Sequence, residues 1–345
     1  KKINHGGKTL DKGVLFVMHF MDQFNRFASQ RMPLLVLLGL MIGIMFAEPV
    51  GKLLFLVPYF FAFMTFSGTA NANFRQLLNT AKKPFPLVFT LFIVHIGMPL
   101  LAFGVGRLFF PGSTYLITGM VLEFSVPCAV ASLMWNSIAG GNSVLTLSIV
   151  LLDTIIAPFL IPLSLHTLVG AKVSVDAAGM FRNLVWMIAL PAILSMAINQ
   201  VTAGRAGKKL APLLAPYGKI ALILIITVDS TRVAPFVRHM TPLLVGVMFS
   251  MLLIAIIGYT VGLLLAKAMR QPDDITASMT ICCGMRNISA GAVIAAAYFP
   301  PEVMFPVMIS TLFQQILAAL FVQLLTHLHQ PDKFNLKLNC FQDKT

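Results

Sequence analysis

From Met32 to His329 the chain alternates long apolar runs with short polar links. Crossing about 30 Å of hydrocarbon takes ~20 helical residues, and a backbone in lipid must satisfy its own hydrogen bonds, so these runs predict membrane-spanning helices. The pattern places spans near 33–48, 52–69, 84–109, 114–139, 142–169, 179–200, 211–235, 241–267, 273–298 and 302–328. Before them, Gly13 to Gln30 mixes Leu15, Phe16, Met18, Phe20, Met21, Phe24 and Phe27 with Asp22 and Arg26, which predicts an amphipathic helix on the membrane surface. The expected organisation is a cytoplasmic segment over 1–31, a five-helix unit over 32–170, a second over 171–328, and a cytoplasmic tail over 329–345. The fold class is therefore an all-α polytopic membrane protein.

Composition supports this and narrows it. Hydrophobic residues make up 58% and charged residues 11%, against roughly 45–50% and about 25% in soluble domains. A soluble enzyme, a disordered chain and a disulfide-stapled secreted domain are all excluded. The net charge of +13 would suggest nucleic acid in a soluble protein, but its placement argues otherwise. The N-terminal segment, the second, sixth and eighth links and the tail carry 17 Lys and Arg, and the opposite links carry 6. That bias predicts both termini in the cytoplasm, at the plasma (inner) membrane, with the bilayer rather than nucleic acid as the partner of the basic face. No cleavable signal pattern is evident. Cys128, Cys282 and Cys283 fall at membrane depth and Cys340 in the tail, so no disulfide framework is expected.

The two halves share a feature. The fourth span is interrupted at Ser125-Val126-Pro127-Cys128 and the ninth at Cys282-Cys283-Gly284-Met285-Arg286-Asn287, about 157 residues later. Five spans per half is an odd number, so the halves must be inverted relative to one another, as in many secondary transporters. Glu123, Asp153, His95 and Arg286 fall in the same central layer, where an ionised group costs several kcal/mol unless paired or wetted. Broken helices at that depth are tolerated where they line a cavity or meet a ligand, and their ends carry partial charges. Each residue also has a structural reading: Arg286 with Asp153 as an ion pair, Glu123 and His95 as hydrogen-bonded packing residues, the cysteines as small apolar fillers. No H-E-x-x-H, G-x-x-x-x-G-K or G-x-S-x-G motif is present, and the scattered histidines predict neither a metal site nor a cofactor.

At these breaks the sequence resembles the bile acid:sodium symporter family. The matching stretches are Val126-Pro127 through Ser132, Gly141-Asn142-Ser143-Val144-Leu145-Thr146-Leu147-Ser148, Ala157-Pro158, and Gly284-Met285-Arg286-Asn287 with Ala295-Ala296-Ala297. The resemblance implies a ten-helix inverted repeat with a panel and a core domain, broken helices four and nine crossing in the core, and alternating-access transport of organic anions, usually with sodium. Within that frame the expected substrate site is Ser132, Asn136, Arg286, Asn287 and Ser289, beside the breaks at Pro127, Cys128, Cys282, Cys283 and Gly284. Ion coupling falls to Asp153, Glu123, His95 and Thr146. The departures matter as much. Where the family has Ser-Asn in the fourth helix this chain has Ser132-Leu133, and where it has Glu and Gln in the ninth, this chain has Cys282 and Arg286. A guanidinium repels sodium at low dielectric. The expectation is that Arg286, paired with Asp153, replaces a sodium ion and that coupling passes to protons or is absent. Arg286 binding the substrate directly is the other role open to it. The arsenite-efflux carriers are a second resemblance, through Pro127-Cys128, Trp135 and Asp153, and a non-transporting receptor is a third possibility. The sequence carries no signal for oligomeric state.

Overall fold

The computed structural model describes residues 34–72, 84–170 and 176–329, together with 3–5, 8–10 and the single positions Gln23, Phe27 and Arg31. The surface helix expected over 13–30 lies outside the described residues apart from Gln23 and Phe27, both helical. Ahead of it is an element the hydropathy pattern does not predict, a two-stranded antiparallel hairpin pairing β1 (Ile3–His5) with β2 (Lys8–Leu10).

The rest is helical. In chain order come α1 (Leu34–Met45), α2 (Leu54–Thr69), α3 (Pro84–Phe109), the interrupted pair α4a (Thr114–Ser125) and α4b (Ser132–Ile138), α5 (Ser143–Leu168) and α6 (Ala178–Val201). Then follow α7 (Arg205–Arg232), α8 (Pro242–Ala268), a second interrupted pair α9a (Asp273–Gly284) and α9b (Ile288–Tyr298), and α10 (Pro301–Leu328). Among the described residues, α3, α5, α6, α7, α8 and α10 are each long and apolar enough to cross a membrane. Their outer faces carry exposed Phe85, Phe89, Phe92, Phe159, Trp186 and Phe249, a surface suited to lipid rather than water. The chain is an integral membrane protein.

Two long helices depart from simple α geometry where the sequence holds a proline. In α3 the segment Ile93–Gly97 is a π-turn ahead of Pro99, and in α6 the segment Val185–Ala189 is one ahead of Pro191. A proline ring clashes with the carbonyl four residues before it, here that of His95 or Met187, and the wider turn lets that carbonyl move aside. The hydropathy pattern shows both helices but not these turns.

Packing falls into two groups: α7 holds both α1 and α2, while α3, α4a, α8, α9a and α10 surround the breaks, with α5 and α6 in contact between them. Both groups use small residues for close approach. On α1, a Cβ added at Gly39 would lie 2.6 Å from Thr227 Oγ1 on α7; on α8, one added at Gly262 would lie 2.8 Å from the Met279 carbonyl on α9a.

Candidate functional site

Pro127 has no N–H to continue α4a, and Val126 turns extended with φ −70° and ψ 153°. In α9a the chain leaves the helix at Met285, φ −94° and ψ 130°, after Gly284, where any Cβ would run into the Tyr259 ring. The two interruptions meet: Cys128 and Arg286 form a single antiparallel bridge, and the Asn287 N–H donates to the Pro127 carbonyl at 2.8 Å. Freed backbone groups at this depth need partners. Asp153 Oδ2 accepts from the Cys128 N–H at 2.7 Å, and Gln314 Oε1 accepts from the Arg286 N–H at 2.9 Å.

The ion pair expected between Arg286 and Asp153 does not form. Both Asp153 oxygens are already taken, Oδ1 by His95 Nε2 at 2.5 Å and Oδ2 by Cys128. The Arg286 guanidinium turns back over its own half-helix instead, donating to the Cys283 carbonyl at 3.1 Å and facing that of Cys282 at 3.5 Å. These are carbonyls of the last turn of α9a, the negative end of its dipole. Glu123 is buried close by, its Oε2 without a hydrogen-bond partner. Glu123, Tyr259, Arg286, Ser310 and Gln314 border a cavity of about 10 Å³, roughly the room one water needs. Asp229, at the end of α7 near Arg232, is fully buried, and neither of its carboxylate oxygens has a hydrogen-bond partner.

The remaining candidates fall on the neighbouring half-helices. Ser132 and Asn136 are fully buried on α4b one turn apart, so they share a face. Asn136 Oδ1 accepts from Ser278 Oγ at 3.0 Å, whereas Ser132 Oγ and Asn136 Nδ2 have no protein partner. Asn287 caps α9b through the Ala290 N–H at 3.2 Å, and Ser289 is buried in its first turn. Thr146 is buried one turn into α5, its hydroxyl without a partner. Cys128, Cys282 and Cys283 are free thiols, and Cys128 Sγ donates to the Cys282 carbonyl at 3.0 Å.

Several partners went unread in the sequence. Asn142 caps α5 through Leu145 N–H at 3.0 Å and donates to Asp274 Oδ2 at 2.8 Å, tying α5 to the start of α9a. Gln314 and Tyr259, polar positions within apolar helices, complete the surroundings of Arg286. Their depth was a signal, but their direction was not.

A profile described as the sodium bile acid symporter family matches residues 58–234. A Bacillus subtilis (strain 168) protein carrying the name uncharacterized protein YbaS is 39% identical over 290 residues, 84% of this chain and 95% of its own length. From the same organism, the uncharacterized sodium-dependent transporter YocS is 22% identical over 288 residues, 82% of this chain and 87% of its own. The probable chloroplastic sodium/metabolite cotransporter BASS1 of Oryza sativa subsp. japonica is 26% identical over 237 residues, 68% of this chain and 57% of its own.

Proposed function

The chain belongs to the sodium bile acid symporter family, and on that premise we propose that it is a secondary transporter of a small organic anion in which Arg286 stands in place of a coupling sodium ion. The observation that carries the reading is the guanidinium lying over the terminal carbonyls of α9a, 3.1 Å from that of Cys283. Carbonyls at a helix C-terminus suit a cation, and here the protein supplies one itself. A sodium ion about 4 Å from that charge meets a repulsion of about 4 kcal/mol at an effective dielectric of 20, roughly a thousandfold in affinity. The relatives named as sodium-dependent carry sodium coupling in their names; in this chain a proton takes that role.

In this reading the anion is held by Ser132 Oγ and Asn136 Nδ2, donors on one face of α4b, and by the start of α9b at Asn287 and Ser289. Both donors are fully buried, so the site is closed in this conformation. Opening it alternately to the two sides follows from two inverted five-helix units, the panel of α1, α2, α6 and α7 moving against the core. Both termini then lie on the cytoplasmic side of the plasma (inner) membrane.

The test is uptake of labelled taurocholate, pantoate, pyruvate and arsenite into proteoliposomes of the purified protein, with sodium and proton gradients imposed separately. Organic-anion uptake that is indifferent to sodium supports the reading. Strict sodium dependence refutes the role of Arg286. Arsenite flux without organic-anion flux, or ligand binding without flux, replaces the substrate class with arsenite or transport with a receptor role.

A further inference from the structure

Asp153 occupies a position that the proposed anion site does not use. Its carboxylate joins three helices: it lies on α5, receives His95 of the α3 π-turn on one oxygen at 2.5 Å, and holds the Cys128 N–H of the α4 break on the other at 2.7 Å. All three residues are buried. His95 lies within the π-turn ahead of Pro99. His95 Nδ1, the ring atom turned away from the carboxylate, is buried without a hydrogen-bond partner. The same residue lines an apolar groove of about 500 Å³ between α3 and α5, walled by Val88, Phe92, Ile96 and Leu163.

We propose that His95 and Asp153 form the proton-coupling site of this carrier, with the Cys128 N–H as the link through which protonation acts on the helix break. The proposal rests on the transport reading and gives its coupling ion an address. With the ring neutral, the Nε2 proton is donated to Asp153 and the pair carries one negative charge, which also holds the Cys128 N–H. A proton taken from water onto Nδ1 makes an imidazolium and brings the pair to neutrality. Two changes follow. The carboxylate's charge is now balanced by His95, so its hold on the break weakens, and the new Nδ1–H needs an acceptor that this packing does not supply. Both favour a rearrangement at the α4 break, where the anion donors of α4b begin. Release of the proton to water on the other side restores the pair.

The surrounding groups leave this role to the pair. Cys128 lies at the break and Cys282 and Cys283 on α9a, all three buried and outside any disulfide. The guanidinium of Arg286 is committed to the α9a carbonyls, and Arg286 borders one small cavity with Glu123 and Tyr259.

The decisive measurement compares wild type, His95→Gln and Asp153→Asn in proteoliposomes. For whichever of taurocholate, pantoate or pyruvate the wild type carries, uptake is recorded at equal pH and under a one-unit inward proton gradient, with a trapped pH dye reporting proton entry. Glutamine at position 95 can still donate to Asp153, so this variant keeps the link while removing the titrating ring. In the wild type a one-unit gradient drives up to about tenfold accumulation if one proton moves per anion, and the dye reports acidification. In both variants the ratio of gradient-driven to equal-pH uptake falls to about one, and substrate-linked acidification disappears. A ratio in His95→Gln equal to that of the wild type overturns the proposal, whatever Asp153→Asn does to folding. Wild-type flux with no response to the proton gradient overturns it while leaving organic-anion transport standing. Absence of any wild-type flux removes the transport reading and this proposal together.

Discussion

Arg286 is the residue on which most of the site turns, and its surroundings explain why the membrane tolerates it. A buried cation needs acceptors and counter-charge, and Arg286 has the α9a carbonyls as acceptors and Glu123 bordering the same small cavity. Removing one member of such an arrangement leaves the other buried and uncompensated, at about 3–5 kcal/mol. Arg286→Met is therefore expected to lower the denaturation midpoint in detergent strongly, and adding Glu123→Gln to return much of the loss, a coupling read from a double-mutant cycle. Strictly additive effects would show that the two groups do not compensate one another. Chemistry at mid-depth was legible in the sequence, because charge in an apolar span stands out. Pairing was not: Asp153 and Arg286 are the obvious opposite charges, yet Asp153 spends both oxygens on His95 and a backbone N–H.

At the scale of elements, the helices pack through small residues whose spacing is visible once the contacts are known. Gly39 and Gly43 on α1 face α7, and Gly258 and Gly262 on α8 face α9a, each pair four apart. A side chain at Gly262 meets backbone atoms of Met279 and Thr280 at 2.8 and 3.0 Å, whereas nothing lies within 4 Å of a Cβ at Gly104. Gly262→Val is thus expected to destabilise by about 1–3 kcal/mol, and Gly104→Val to stay within about 0.5 kcal/mol. Thermal unfolding of the two purified variants checks this, and equal losses would rule out the packing argument. The prolines had a similar fate in the sequence. Pro99 and Pro191 predict a disturbed turn, but whether the helix kinks, breaks or widens depends on what stands beside the displaced carbonyl. Here it widens, and in α3 the widened turn holds His95, which meets Asp153.

For the molecule as a whole, the contacts between α6 and α9b bear on conformational exchange. The Tyr298 hydroxyl at the end of α9b donates to the Gly179 carbonyl at 3.2 Å and accepts from Asn183 Nδ2 at 2.5 Å. If α6 moves relative to the core during transport, this contact breaks each time. Tyr298→Phe, losing about 1 kcal/mol of hydrogen bonding, is expected to speed substrate counterflow about fivefold; an unchanged rate would mean that the contact persists through the cycle.

The sequence by itself determined that this is a helical integral membrane protein, where its long apolar helices lie, and that two helices are interrupted. It did so because hydrocarbon enforces one local rule on every residue: backbone polar groups must be satisfied within the segment, and charge must be rare. Tertiary structure alone decided which polar groups meet. The bridge of Cys128 to Arg286, the carboxylate of Asp153 shared between His95 and the break, and the guanidinium folded over its own helix end all depend on how helices distant in the chain are rotated and pressed together. Rotation and contact are properties of packing, which hydropathy along one chain does not encode.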